Sequence, residues 1–233
     1  MAGLKRSYWP FAHHQCSKFS SVEIGLSVNG AKSTLLNSDA VCFDVDSTVC
    51  VDEGIDVLAN HLGVYEEVSN LTKLAMGGDV KFQDAIKMRL DIMKPSLESV
   101  KNCLAQHPPK LSPGIENLTK ILFANSIDVY LVSGGFRVMI APVAEKLGIA
   151  KQNIFANTLL FDNNGDYSEF DESELTSKDL GKPKVVELIK KKFGYRKVVM
   201  IGDGATDMQA RPPADAFIGF GGVVVRDAVL KGA

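Results

Sequence analysis

Four short apolar runs recur along this chain, and each is cut off by Asp, Ser or Gly. They are AVCFDVD at 40–46, IDVYLVSGG at 127–135, KVVMIGDG at 197–204 and ADAFIGFGG at 214–222. Runs this short, with β-branched residues at their centres, read as buried strands. Helical periods stand between them. GIENLTKILFAN (114–125) follows Ser112-Pro113, a cap and an early proline; FRVMIAPVAEKLG (136–148) and KVVELIKKKFG (184–194) close on glycine. Strands alternating with helices predict an α/β fold with a doubly wound parallel sheet. In such a sheet the ligand crevice lies beyond the carboxyl ends of the strands, which is where these polar stops collect.

Three segments fall outside the alternation. Residues 53–107 carry helical patterns such as EEVSNLTKLAM and FQDAIKMRLDIM and predict a small helical cap inserted after the first strand. The core is then 39–52 together with 108–233. IFANTLLFDNNGDYSEF (154–170) predicts a hairpin turning at Asn163-Asn164-Gly165-Asp166. Residues 1–38 hold four Lys/Arg, seven Ser and one acid, Glu23. They are expected to be a disordered or weakly ordered extension, with a transit peptide as the alternative. Within them GLSVNGAKSTLL (25–36) imitates a phosphate-binding loop but fails on spacing. Ala31 stands where the loop needs its lysine, Lys32 comes one residue late, and too few residues precede the strand for the helix that should follow.

Composition narrows the partners. A net charge of −2 supplies no basic field for nucleic acid or an anionic membrane surface. No apolar run approaches the roughly 18 residues of a membrane span. Cys16, Cys42, Cys50 and Cys103 show no CxxC spacing, so reduced thiols and no zinc site are expected. The expected address is the cytoplasm, or a plastid or mitochondrion if residues 1–38 are a transit peptide.

Asp44 and Asp46 set the chemistry. Two carboxylates at the end of an apolar run are unfavourable unless something pairs with them or coordinates them. Spaced by two in a strand, both would face one side. The other strand ends add Ser133, Gly134, Gly135, Asp203 and Asp207, and Lys182 precedes the third strand. An all-oxygen set without His or Cys suits a hard ion such as Mg²⁺. Asp44 could then attack phosphorus, and Asp46 could protonate the leaving oxygen and later deprotonate water. Ser133 and the N–H groups of Gly134 and Gly135 would hold phosphate oxygens, with Lys182 adding positive charge. Taken singly, each residue has an ordinary explanation as a cap, a turn or a solvated lysine. Four strand ends in this order do not.

DVDST, SGG, a lysine and GDGATD, in that order, resemble the haloacid-dehalogenase-like phosphatase superfamily. VDEGID (51–56), AMGG (75–78), LVSGGFR (131–137), IFAN (154–157) and PPADAFIGFGG (212–222) narrow the resemblance to its phosphoserine-hydrolysing branch, from Asp39 to Arg226. The resemblance implies that Asp44 is the nucleophile and that Asp46 is the general acid and base. It implies Mg²⁺ held by Asp44, Asp203 and the backbone carbonyl of Asp46. Ser133, Gly134 and Lys182 are implied phosphate ligands, with Thr206 at the same end and Asp207 in support. Glu53 is implied to meet the substrate ammonium and Arg89 its carboxylate, under a cap wall of Met76, Gly77 and Phe82. The implied activity is hydrolysis of O-phospho-L-serine to L-serine and phosphate, the last step of serine biosynthesis, by a homodimer.

Other readings are a phosphatase for another small phosphorylated metabolite, an inactive truncated form, and a receiver domain phosphorylated on aspartate. A receiver needs neither Asp46 nor the insert. Three departures from the family pattern are visible, the first being the N-terminal segment 1–38, which has no counterpart in it. Leu180 stands where the family often has glycine, and the chain ends at Ala233, before a further expected strand and helix.

Overall fold

A computed structural model describes residues 24–76 and 81–232. Its centre is a five-stranded parallel sheet of β1 (Ala40–Phe43), β2 (Asp128–Phe136), β3 (Ile154–Asn157), β6 (Val198–Gly202) and β7 (Ala216–Gly219), in the order β3-β2-β1-β6-β7. The doubly wound α/β fold expected from the alternation is present. Strands grow outward from β1 in both directions, so the order reverses beside β1, where crevices form in sheets of this class. Register brings the strand ends level. Phe43 pairs with Leu131 on one side and Ile201 on the other. Asp44 therefore stands about one residue step, roughly 3.3 Å, from the levels of Ser133 and Asp203.

Helices cover both faces. On one, Leu122 of α6 (Ile115–Ala124) and Ile140, Val143 and Leu147 of α7 (Arg137–Leu147) pack on Val41, Phe43, Val129 and Leu131. On the other, α8 (Gly181–Phe193) sets Val185, Val186 and Ile189 against Cys42, Tyr130 and Met200. Those three α8 side chains are fully buried. Each contributes about 1.5–3 kcal/mol by leaving water. Cys42, Cys50 and Cys103 are buried and unbridged, as expected.

The insert is helical. It holds α2 (Gly54–His61), α3 (Tyr65–Met76), α4 (Phe82–Met93) and α5 (Leu97–Gln106). Its core of Leu58, Val68, Ile86, Leu90 and Val100 also takes in Leu159 and Phe170, from the hairpin of β4 (Leu159–Phe161) and β5 (Tyr167–Phe170), and Phe136 and Met139. The cap thus shares one hydrophobic cluster with the hairpin and with the start of α7.

Four expectations are corrected. The chain leaves the strand at Phe43, so Asp44 and Asp46 do not share a face by strand alternation. A wide turn, Val45–Val49, carries Asp46 onward and is closed by Cys50 N–H to the Val45 carbonyl at 2.8 Å. Residues 154–157 join the main sheet beside β2, and only 159–170 form the hairpin. The apolar IFAN segment is better buried as a parallel strand than as a hairpin arm. Residues 24–36 form the helix α1 (Ile24–Leu36), with Leu35 in the core. That falls within the span expected to be a disordered or weakly ordered extension. It also disposes of the phosphate-loop imitation, since those residues are helical. Finally, α6 opens at Ile115 behind Gly114 at φ +89°, so Ser112-Pro113 stands just ahead of the helix.

Leu180 precedes α8 at φ +56°, ψ +30°, and is 56% exposed. It occupies a left-handed conformation and gains little from burial. The Leu180→Gly variant removes left-handed strain of about 1–2 kcal/mol at an entropic cost of roughly 0.5–1 kcal/mol. The expected net gain is about 0.5–1 kcal/mol in urea unfolding at unchanged m-value. A destabilised variant would show that this leucine makes contacts worth more than its strain.

Candidate active site

The site is assembled around one buried lysine. Lys182 lies in the first turn of α8, an unfavourable place for a cation beside a helix N-terminus. It is held there by carboxylates. Its Nζ is 3.0 Å from Asp44 Oδ1 and donates to Asp207 Oδ1 at 2.5 Å. Burial works against its charge, but Asp207 and Asp44 outweigh burial and move its pKa upward. Asp44 Oδ1 also accepts the N–H of Val45 at 2.8 Å. Both bonds fall on Oδ1, leaving Oδ2 without a protein partner among the described residues. Burial, with Asp207 next, pushes the Asp44 carboxyl well above the usual range, and Lys182 only partly offsets this.

Asp46 lies beyond the turn. Its Oδ1 accepts the N–H of Gly54 at 2.7 Å, and its Oδ2 faces Ser133 Oγ at 3.4 Å. Burial raises its pKa against those bonds, the direction a proton donor needs. Ser47, next in the turn, takes φ +54° and lends Oγ to Glu53 Oε1 at 3.3 Å.

The last residues of β2 supply Ser133, fully buried, whose Oγ accepts the N–H of Gly135 at 2.9 Å. Asn157 Nδ2 holds the Gly134 carbonyl at 2.7 Å, and Thr176 Oγ1 in turn donates to Asn157 Oδ1 at 2.9 Å. A Cβ on Gly134 would stand 2.6 Å from Phe82 Cζ, so the cap's aromatic ring closes directly over this backbone. Phe82 N–H also donates to Asp179 Oδ1 at 3.1 Å, tying α4 to the core.

Asp203 ends β6. Its Oδ2 accepts Arg226 Nε at 2.7 Å, and Thr48 Oγ1 faces its Oδ1 at 3.4 Å. Asp207, in the first turn of α9 (Ala205–Met208), is fully buried and takes the N–H of Gly204 on Oδ2 at 3.1 Å. A Cβ on Gly202 would strike its Cγ at 2.2 Å, so the GDG spacing is a packing requirement. Thr206, exposed on the same turn, makes no hydrogen bond among those described.

Carboxylate oxygens of Asp44, Asp203 and Asp207 lie within 4.8 Å of one another. That is an all-oxygen set fit for a hard divalent ion. Lys182 and Gly204 occupy both oxygens of Asp207, whereas Asp44 keeps Oδ2 unpartnered among the described residues and Asp203 would share its oxygens with Arg226 and Thr48. The Asp46 side chain stands outside this group.

Glu53 caps α2 and shares its Oε1 with Ser47 and with Arg226 Nη2, the latter at 3.4 Å. Arg89 is half-buried on α4; its Nε donates to its own helix at Ala85 O, 2.9 Å away. Burial lowers its pKa, and Asp56 and Glu53 resist the shift. The side chain of Met76 and the whole of Gly77 lie outside the described residues. The sequence reading had not assigned Arg226, Ser47, Thr48 or Asn157 a role. Ser47 and Thr48 sit inside DVDST and Asn157 inside IFAN, so their motifs pointed to them. A single arginine after an apolar run gave no signal.

This arrangement of an acidic strand end, a buried lysine, a serine-glycine strand end and a helical cap defines a class. The chain belongs to the haloacid dehalogenase-like hydrolases, whose family pattern it matches over residues 38–215. It is 57% identical over 197 residues to the chloroplastic phosphoserine phosphatase of Arabidopsis thaliana, covering 84% of this chain and 67% of that one. It is 52% identical over 202 residues to phosphoserine phosphatase of Bos taurus, covering 87% and 90%. Its fold matches a substrate-bound phosphoserine phosphatase complex at a TM-score of 0.73 and 29% identity, covering 84% and 91%.

A raised carboxyl pKa means that the folded state favours the neutral acid. Ionised Asp44 therefore lowers stability at neutral pH, and the penalty fades as pH falls below its folded-state value. Metal-free Asp44→Asn should melt above the unsubstituted protein at pH 7, with the difference shrinking in acid. Equal melting temperatures at pH 7 would mean that Lys182 fully compensates Asp44.

Proposed function

We propose that this chain hydrolyses O-phospho-L-serine to L-serine and phosphate through an aspartyl-phosphate on Asp44, with Mg²⁺ as cofactor. One observation carries the substrate class: a single guanidinium, Arg226, touches both Asp203 and Glu53. The cap's anion therefore sits one side chain away from the acidic strand ends, where the ammonium of a small phosphorylated amino acid would fall. The named relatives at 52% and 57% identity support the same substrate.

Phosphate oxygens are received by Lys182, Ser133 and the N–H groups of Gly134 and Gly135, with Thr206 at the rim. Asp44 Oδ2, the oxygen without a protein partner, forms the new bond to phosphorus while the bond to the serine oxygen breaks. Asp46, whose pKa burial raises, donates a proton to that leaving oxygen. It then takes a proton from water, which attacks phosphorus and returns Asp44 as a free carboxylate. Magnesium bound by Asp44, Asp203 and the Asp46 carbonyl would screen the negative charges from one another. Glu53 holds the ammonium, and Arg89 grips the carboxylate with the guanidinium nitrogens its own helix leaves free. Phe82, whose ring closes over Gly134, excludes water above.

Phosphate release from phosphoserine, with and without Mg²⁺, tests the whole reading; folded protein that releases none would refute it. Asp44→Asn should retain the fold and lose turnover by at least about 1,000-fold, as removal of a nucleophile does. Arg89→Ala should cut kcat/KM for phosphoserine by about 100-fold or more while sparing an aryl phosphate, since a buried charge pair is worth roughly 3 kcal/mol. Equal losses on both substrates would remove Arg89 from carboxylate recognition.

A further inference from the structure

We propose that Arg226 is a competing cation that drives L-serine off Glu53 once the phosphoryl group has been transferred. The inference rests on the phosphoserine reading and adds a product-release step to it. Arg226 lies in the loop between β7 and α10 (Asp227–Gly232). Its guanidinium has a tight end and a loose end. Nε holds the Asp203 carboxylate at 2.7 Å, while Nη2 reaches Glu53 Oε1 only at 3.4 Å. Arginine keeps its charge at every working pH, so this competitor is always present.

The consequence differs between substrate and product. Phosphoserine is anchored at its phosphate by Lys182 and the Ser133–Gly135 end of β2, and its ammonium can displace the loose Nη2 contact. After transfer to Asp44 the phosphate anchor is gone. L-serine keeps only Glu53 and Arg89, and Nη2 now competes for Glu53 on equal terms. A divalent cation on Asp203 weakens the tight end by drawing on the same carboxylate, which frees the guanidinium for Glu53. Cation binding at Asp203 and ammonium binding at Glu53 therefore oppose each other through Arg226, and linkage makes the effect reciprocal. The enzyme that carries its metal is the one that holds product least.

Calorimetric titration of L-serine into metal-free and Mg²⁺-saturated protein tests this directly, because L-serine has no phosphate to contact the metal. In the unsubstituted protein Mg²⁺ should weaken L-serine binding by about fivefold or more. Arg226→Gln should bind L-serine more tightly and retain a metal effect of less than about twofold, the part due to direct repulsion across water. Arg226→Lys keeps the charge but cannot reach both carboxylates at once. Its coupling should fall below the unsubstituted factor, and it decides the matter if the glutamine variant fails a melting control. Absence of coupling in the unsubstituted protein, or full coupling surviving in Arg226→Gln, would overturn the proposal. Phosphate release from phosphoserine by the same preparation keeps the two readings apart. No release overturns the substrate assignment and this inference with it; release with unaltered coupling overturns the inference alone.

Discussion

Lys182 between Asp44 and Asp207 is the interaction on which the site depends. Three carboxylates meet at one strand end with their oxygens within 4.8 Å. In a low-dielectric interior such a cluster is strongly repulsive. Lys182 contacts two of them, at 3.0 and 2.5 Å, and Arg226 takes the third, Asp203, at 2.7 Å. The residual strain is visible in Asp44 and Asp46, whose carboxyls burial pushes upward. A site held short of full neutrality is prepared for a cation and a phosphate, and its unpartnered Asp44 Oδ2 is where that preparation becomes reactivity.

The scaffold around the cluster works by fixing backbone. The turn Val45–Val49 carries Asp46 past the strand end, with Ser47 at positive φ. Asn157 and Thr176 clamp the Gly134 carbonyl, and Arg137 locks the start of α7 by bonding the Ile154 and Ala156 carbonyls and Glu174. The Ser133–Gly135 end of β2 is thereby fixed against β3. The cap meets this frame at several points, among them Phe82 over Gly134, Gly54 on Asp46 and Glu53 beside Arg226. Recognition of the amino-acid part is thus built on the insert and chemistry on the sheet, and Arg226 and Asp46 are core side chains that touch both.

Much of this was legible in residue order. The strand ends at Asp44, Ser133 and Asp203 were marked by apolar runs broken by polar residues, because parallel strands are buried on both faces and must end where the chain turns to water. The cap could be read as helical because its period changes from that of a strand to that of a helix. What misled was local. The spacing of Asp44 and Asp46 suggested strand alternation, yet the strand stops at Phe43, and a turn with a left-handed serine leaves no periodic trace. IFANTLLF read as one hairpin arm because a parallel edge strand and an antiparallel arm share the same apolar pattern. Residues 24–36 stood out only as an imitation of a phosphate-binding loop, yet they form α1 with Leu35 in the core.

The sequence by itself determined the class of sheet, the cap insertion and the chemical inventory of the crevice, since burial periodicity and residue type are properties of the chain. Tertiary structure alone decided which charges meet. Lys182 and Asp44 are far apart in the chain, as are Arg226 and Glu53. Only strand register and helix packing bring them into contact, and an ion pair depends on distance in space.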